Sequence, residues 1–170
     1  MKKMIRLLPL LALAPLSAAF AGTASDNFKV TLTITGACSL TANDLDFGTN
    51  PGAIASNIDA QSTLVANCTT GQAYSIGLNN GAGSGATASV RKMTNAADSS
   101  TVNYSLYAAS NRATVWDNNC TAVPSTAATC ANGTGNGANQ TINVYGRVPG
   151  GQTSVTVGSY VDTVVATLTF

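Results

Sequence analysis

The sequence predicts an all-β sandwich, and three of its properties support this prediction. Short segments alternate apolar and polar residues with a period of two, which is typical of strands that bury one face. Dipeptides that favour tight turns separate these segments. The chain has no Glu, is rich in Thr, Ser, Asn and Gly, and contains no segment with a helical period. Short strands of this kind indicate a sandwich of immunoglobulin-like (Ig-like) size.

The first predicted strand spans residues 28–35, and the last spans residues 160–170. In the first strand, Lys29 and three threonines alternate with an apolar set: Phe28, Val30, Leu32 and Ile34. In the last strand, one face carries Val164, Ala166, Leu168 and Phe170. Further strands are predicted at residues 64–68, 74–79, 102–107 and 142–145. Because amphipathic strands lie near both ends of the chain, we expect a sheet that other copies can join.

Turns and two longer loops are predicted between these strands. The turns are Asn50-Pro51-Gly52, Thr70-Gly71, Asn80-Gly81, Asn132-Gly133, Asn136-Gly137 and Pro149-Gly150-Gly151. The first loop, residues 82–88, is rich in Gly, Ala and Ser. The second loop, residues 117–139, is rich in Asn, Thr and Gly and contains two cysteines.

Residues 1–21 are predicted to be a signal peptide. Lys2, Lys3 and Arg6 form a basic start, an apolar run follows, and Ala19-Phe20-Ala21 is a cleavage motif. The apolar run is shorter than the roughly 20 residues of a membrane-spanning helix, so we expect no stable membrane insertion. Without this segment, five basic residues stand against seven Asp, a net charge of −2. Such a charge does not favour nucleic acid or an anionic membrane surface as a partner.

The four cysteines are expected to form two disulfides, since a signal peptide leads to an oxidising compartment. Three pairings are possible. We favour Cys38 with Cys68 and Cys120 with Cys130, because the second pair flanks a short polar stretch and can close locally. Metal ligation is not expected, because the chain has no His and no C-x-x-C pair.

The sequence offers little for catalysis, so we predict that the protein is not an enzyme and has no catalytic residue, cofactor or metal. Without His there is no Ser-His-Asp arrangement, and without Glu paired carboxylates come from Asp alone. Asp44 and Asp46 could form a weak Ca²⁺ site, but solvated carboxylates are the better interpretation. Trp116 beside Tyr107 could stack on a sugar, although a position in the core is favoured.

Five segments, in order along nearly the whole chain after residue 21, carry a resemblance to a known family. They are Leu45-Asp46-Phe47-Gly48, Val65 to Gly71, Val102 to Tyr107 with Val115-Trp116, Val144 to Gln152, and Val157 to Thr163 running on to Phe170. Together they resemble the spore coat protein U domain, whose family includes pilins of archaic chaperone–usher pili. The 117–139 loop is longer than the family's usual turn after the Trp, which suggests a subunit-specific surface feature.

The resemblance implies an Ig-like fold that lacks its final strand. In this family a periplasmic chaperone inserts a strand beside the C-terminal strand of the pilin, and at the outer-membrane usher the N-terminal strand of the next subunit replaces it. Residues 22–35 would then be an extension with a donor strand, and residues 36–170 the pilin domain. The donor residues would be Phe28, Val30, Leu32 and Ile34. The receiving edge would be Val164, Ala166, Leu168 and Phe170. Periodicity alone would favour a first strand paired within its own domain, and the resemblance favours the donor.

The predicted function is that of a structural pilus subunit. It would be secreted through the periplasm of a Gram-negative bacterium to the cell surface and polymerise by donor-strand exchange. Its partners would be the chaperone, the usher and neighbouring copies or related pilins, and it would serve adhesion and biofilm formation. One alternative is a spore or cell-surface coat protein of the same family. Another is a tip adhesin that binds a surface or a sugar. A secreted hydrolase lacks the residues it would need.

Overall fold

The computed structural model of the protein describes residues 21–120 and 122–170. Residues 1–20 of the predicted signal peptide lie outside this part of the chain. The chain divides into two compact units at residues 33 and 34, and the second unit is Ile34–Phe170. Residues 21–37 contain no strand, so the strand expected at residues 28–35 has no sheet partner in the structure.

Nine strands follow in the second unit, and the described residues contain no helix. They are β1 (Cys38–Ala42), β2 (Ile58–Cys68), β3 (Ala73–Leu78), β4 (Arg91–Asn95), β5 (Thr101–Tyr107), β6 (Ala131–Thr134), β7 (Asn139–Val148), β8 (Tyr160–Val161) and β9 (Ala166–Thr169).

The strands form two sheets, which confirms the predicted all-β, Ig-like sandwich. The larger sheet has the order β1-β2-β7-β5-β4-β8, and the smaller has the order β6-β3-β9. Every ladder in both sheets is antiparallel. The longest ladder joins β2 to β7, from Ile58 opposite Val148 to Asn67 opposite Asn139. The inward residues of these alternating strands fill the space between the sheets, as in other sandwiches.

Two local predictions were wrong, for identifiable reasons. Asn132-Gly133, predicted as a turn, lies within β6. A Cβ atom at Gly133 would overlap the ring of Tyr74 on the neighbouring strand, so this glycine permits close packing of an aromatic side chain. The last predicted strand, residues 160–170, is interrupted at residues 162–165 and pairs with a different sheet on each side of the break.

Trp116 lies at the centre of the core with no exposed surface, as favoured from the sequence. Its indole Nε1 donates a hydrogen bond to the carbonyl oxygen of Ile76 at 2.8 Å, which satisfies its polar atom inside the core. The surrounding buried residues include Leu64, Leu78, Val102, Tyr104, Leu106, Val144 and Val148. The ring of Trp116 therefore anchors the chain after β5 to the centre of β3.

Arg91 is also fully buried, although no carboxylate contacts its guanidinium group. The guanidinium donates to four carbonyl oxygens, those of Asn79, Ala88, Leu78 and Trp116, at 2.6 to 3.1 Å. Burial lowers the pKa of Arg91 from its ordinary value. These bonds fix the end of β3, the glycine-rich loop and the segment after Trp116 to one another.

The structure contains both disulfide pairings that the sequence favours. Cys38 and Cys68 face each other in the ladder between β1 and β2, with Cα atoms 4.1 Å apart. Cys120 and Cys130 close the segment before β6, with Cα atoms 5.8 Å apart. The first bond secures the edge strand of the larger sheet, and the second secures a surface segment that covers β3.

Candidate functional site

The smaller sheet has an open edge at β9. β9 pairs with β3 on one side, and no other strand of the described chain is hydrogen-bonded to its other side. The amide of Asn79 donates to the carbonyl oxygen of Val165 at 3.0 Å, so the backbone groups of Val165 point toward β3. Since this direction alternates along an antiparallel strand, the backbone groups of Ala166 and Leu168 point to the open edge. This edge is therefore able to accept a further strand.

Three of the four predicted edge residues face the core from this strand. Val164, Ala166 and Leu168 are partly buried and pack against the core. Phe170 lies beyond β9 and remains 53 % exposed. The period of two thus places the first three side chains correctly, and the ring of Phe170 has no comparable cover among the described residues.

A long cleft with polar and apolar walls opens beside this edge, between residues 43–54 and residues 155–166. It consists of two adjacent hollows of about 700 and 820 Å³, which share Leu45, Asp46, Phe47, Met93 and Tyr160 in their walls. The floor of the first hollow is made of core side chains: Leu64, Leu78, Tyr104, Leu106 and Val144. In a complete sandwich a strand would cover such a floor, so this cleft marks the position of a missing strand.

Two contacts, at Gly146 and Ser62, hold one wall of the cleft against the larger sheet. Gly146 of β7 lies directly under the wall, because a Cβ atom there would be 2.8 Å from the ring of Phe47 and 3.0 Å from Leu45. The hydroxyl of Ser62 donates to the carbonyl oxygens of Asn43 and Asp44, at 2.9 and 2.8 Å. The wall of residues 43–47 is thereby attached to β2 and rests on β7.

A hydrogen-bonded pair of polar side chains, Tyr104 and Asp162, lies in the wall of this cleft. Asp162 has the same strand phase as Tyr160 and Val164, and its carboxylate accepts a hydrogen bond from the Tyr104 hydroxyl at 2.6 Å. The other carboxylate oxygen accepts from the amide of Ala82 at 2.7 Å. Burial and the neighbouring Asp162 raise the pKa of Tyr104, so its hydroxyl remains a donor at physiological pH. Asp162 therefore ties the interrupted strand to the core.

The other end of the interrupted strand is fixed at Tyr160. Its hydroxyl donates to the carbonyl oxygen of Thr156 at 2.8 Å and contacts the hydroxyl of Ser100 at 3.0 Å. Asp98 accepts hydrogen bonds from Ser100 and Thr156, at 2.6 and 2.7 Å, and these bonds hold the pKa of Asp98 below its ordinary value. Sequence reasoning did not single out Tyr160 or Asp162, although a polar residue on the inward phase of an apolar strand was a visible signal for the second.

The predicted donor residues are all solvent-exposed. Their exposed fractions are 87 % for Phe28, 81 % for Val30, 86 % for Leu32 and 77 % for Ile34. Single exposed apolar residues are common, but four in strict alternation form a stripe that an apolar groove can cover. Within the described residues this segment is not part of a strand.

The remaining candidate for ligand binding from the sequence is the pair Asp44 and Asp46. Asp44 and Asp46 are exposed on the cleft wall, and Asp46 accepts the amide of Gly48 at 2.7 Å. In residues 21–120 and 122–170, no three His, Cys, Asp or Glu residues are grouped so that they could hold a metal ion. The same residues include no helix with the length and apolarity to span a membrane.

Comparison with known proteins identifies the family. The model of the Spore Coat Protein U domain matches residues 24–167. A relative described as Protein U, from Myxococcus xanthus, is 36 % identical over 172 residues, covering 94 % of this chain and 92 % of that protein. The chain belongs to the Spore Coat Protein U domain family, which confirms the resemblance noted from its motifs.

A solved structure has the same fold. It is the crystal structure of the CsuC-CsuE chaperone-tip adhesion subunit pre-assembly complex from archaic chaperone-usher Csu pili of Acinetobacter baumannii. A chain in this complex matches with a TM-score of 0.57 and 18 % identity over 81 % of the present chain. The match spans 41 % of the length of that solved chain, and at this identity it establishes the fold alone.

Proposed function

We propose that the protein is a structural subunit of a chaperone–usher pilus and polymerises by donor-strand exchange. The observation that carries this proposal is the cleft that begins at the open edge of β9, with core side chains as its floor. The same chain carries an exposed apolar stripe, Phe28 to Ile34, of the kind that such a cleft accepts. The cleft of one subunit would receive the stripe of the next.

Burial of the apolar stripe and pairing of the open edge of β9 would both be energetically favourable. Each apolar side chain of the stripe would contribute roughly 1.5 to 3 kcal/mol when fully buried. Backbone hydrogen bonds to the open edge at Ala166 would add a strand there without requiring a particular side chain. Until the donor arrives, a free cleft would leave an unpaired sheet edge, which is an association hazard. A periplasmic chaperone that occupies the cleft first would remove this hazard.

The remaining partners and the location follow from this assembly route. An outer-membrane usher would exchange the chaperone for the next subunit, and the polymer would lie on the cell surface of a Gram-negative bacterium, where it serves adhesion and biofilm formation. The two disulfides suit secretion through an oxidising periplasm. No catalytic, cofactor or metal site is part of this proposal.

The proposal predicts that Leu32→Asp stops polymerisation but not chaperone capture. A carboxylate at this inward position would have to lose its hydration in the cleft, which excludes the strand. The matched control is Thr31→Asp, which places the same charge on the outward face. The measurements are co-purification of the subunit with its chaperone and the polymer ladder on a gel run without boiling. Loss of the subunit at the chaperone stage, or a normal ladder from Leu32→Asp, would contradict the proposal.

A coat protein that assembles without a rod is a second candidate, and the similarity to Protein U over nearly its full length favours it. It would use the same cleft and stripe, but its assemblies would lack the form of a fibre. Electron microscopy of cells that express the chain with its chaperone and usher separates the two. Thin fibres support the pilus, and an amorphous surface layer supports the coat.

A further inference from the structure

The apolar stripe alone does not determine how far a donor strand slides into the cleft. A slip by two residues keeps every apolar side chain on the inward face. The outward face is Lys29, Thr31, Thr33 and Thr35, so three of its four residues are identical. Lys29 is therefore the residue that can mark one register among the alternatives.

The outer rim of the cleft carries charge on one wall only. In residues 43–48, Leu45 and Phe47 turn toward the core, whereas Asp44 and Asp46 are exposed. The opposite rim consists of uncharged residues, since the exposed positions of that strand are Val161, Thr163, Val165 and Thr167. An inserted strand would thus have two carboxylates along one side of its outward face.

These charges have no partners within the described chain. Its ion pairs are those of Arg112 and Arg147 with Asp59, at 3.4 and 2.6 Å. Arg91 is surrounded by carbonyl oxygens, and Lys92 donates to the carbonyl oxygen of Ser84 at 3.1 Å. Among residues 21–120 and 122–170, neither Lys29 nor the two rim carboxylates form an ion pair.

We propose that Lys29 of the incoming strand lies beside Asp44 and Asp46 of the accepting subunit and sets the register of donor-strand insertion. This inference rests on the proposed function and names the residues that select one register. Opposite charges at the rim of an interface steer association and exclude wrong alignments more than they add affinity.

The pairing of Lys29 with Asp44 and Asp46 also determines in which direction the donor strand runs along the cleft. Residues 28–34 span about 20 Å when extended, at roughly 3.3 Å per residue. From Asp44 and Asp46, the cleft continues toward Pro51 and Gly158 as the hollow of about 820 Å³. In the other direction β1 and β9 approach each other to within 8 Å between Cα atoms, which leaves no space for a strand. Residues 30–34 of the donor therefore extend from Lys29 toward Pro51, so the donor chain runs in the same direction as residues 43–48.

This direction is antiparallel to β9. Residues 42–47 line the cleft with residues 160–166, whereas residues 45–54 line it with residues 155–160, so the two walls run in opposite directions. An antiparallel isolated bridge between Ile54 and Gln152 agrees with this arrangement. The inserted strand would continue the antiparallel order of β6, β3 and β9.

The test measures how fast a synthetic peptide of residues 25–36 displaces the chaperone from the full-length protein. At low salt the K29E peptide is expected to displace the chaperone about 3- to 10-fold more slowly than the wild-type peptide. The substitution replaces an attractive surface ion pair with repulsion between like charges. The difference should largely vanish at about 1 M salt, where the screening length is about 3 Å. The D44K/D46K protein should reverse the preference and accept the K29E peptide faster.

Two control peptides make the outcome decisive. The T35E peptide introduces one negative charge, half of the change made by K29E, at about 20 Å from the carboxylates, and at about 0.1 M salt its rate should stay within about twofold of wild type. Equal rates for the K29E and wild-type peptides at low salt would overturn the inference, even if the D44K/D46K protein failed to fold. The L32D peptide tests the proposed function separately. If it displaced the chaperone as fast as wild type, donor-strand exchange itself would be refuted.

Discussion

The carboxylate of Asp162 lies on the inward face of an apolar strand, and two long-range hydrogen bonds, beside a local one from the amide of Thr163, explain why this position is tolerated. One comes from the Tyr104 hydroxyl at 2.6 Å and the other from the backbone of Ala82 at 2.7 Å. Gly81 allows this approach, because a Cβ atom there would overlap the carboxylate. The strand between β8 and β9 is thus held by a polar contact where no sheet partner is available.

Tyr104→Phe is expected to lower the free energy of unfolding by about 1.5 to 3 kcal/mol, the range for a hydrogen bond to a charged group. The substitution keeps the ring in the core and leaves one carboxylate oxygen of Asp162 without its donor. The measurement is urea unfolding followed by the fluorescence of Trp116, the single tryptophan, which is fully buried. Tyr107→Phe, on the outward face of the same strand, is the control and should cost less than about 0.5 kcal/mol. Equal effects of the two substitutions would show that the Asp162 contact does not stabilise the fold.

At the level of elements, the Cys38–Cys68 bond should stabilise the fold more than the Cys120–Cys130 bond. It closes a sequence separation of 30 residues against 10. The loop-entropy model then gives about 4 and about 3 kcal/mol. Its position adds to the difference, because it secures the edge strand β1. The prediction is a lower urea midpoint for C38S/C68S than for C120S/C130S. The opposite order would mean that the segment before β6 matters more than the edge of the larger sheet.

The strands that the sequence predicts are those whose buried face is uniformly apolar. This group consists of β2, β3, β5 and β7. Both β2 and β7 are longer than the strands predicted at residues 64–68 and 142–145. β4 was not predicted because its two buried positions are Arg91 and Asn95, whose polarity hides the alternation. A local pattern cannot show that four carbonyl oxygens will satisfy a buried guanidinium group.

The candidate site was predictable in part. The edge residues Val164, Ala166 and Leu168 follow from the period of two, whereas the opposite wall at Leu45 and Phe47 does not. That wall lies more than a hundred residues away in sequence, and it meets the edge only through the topology of the sandwich. Which segment fills the cleft cannot follow from periodicity, because an internal strand and a donor strand have the same alternating pattern.

At the level of the whole molecule, the chain combines a cleft that lies over its core with a separate apolar stripe. A sandwich with one strand missing has an unpaired backbone edge at β9 and an open cleft beside it. Both features promote association with any available strand. In the proposed assembly route, the cleft of one copy binds the stripe of another, so this tendency to associate leads to polymerisation.

Leu168→Asp should therefore remove the subunit from the assembly route at its first step. Leu168 faces Ile76 across the ladder between β9 and β3 and packs against the core, so a carboxylate there would separate the edge strand from the sheet. We expect chaperone co-purification to be lost and the periplasmic level, measured by immunoblot, to fall as the protein is degraded or aggregates. Removal of residues 168–170 should act in the same way. Thr167→Asp, whose side chain points outward from the same strand, is the matched control and should retain the chaperone. A normal periplasmic level of the L168D protein in cells without the chaperone would mean that the fold is stable without a donated strand.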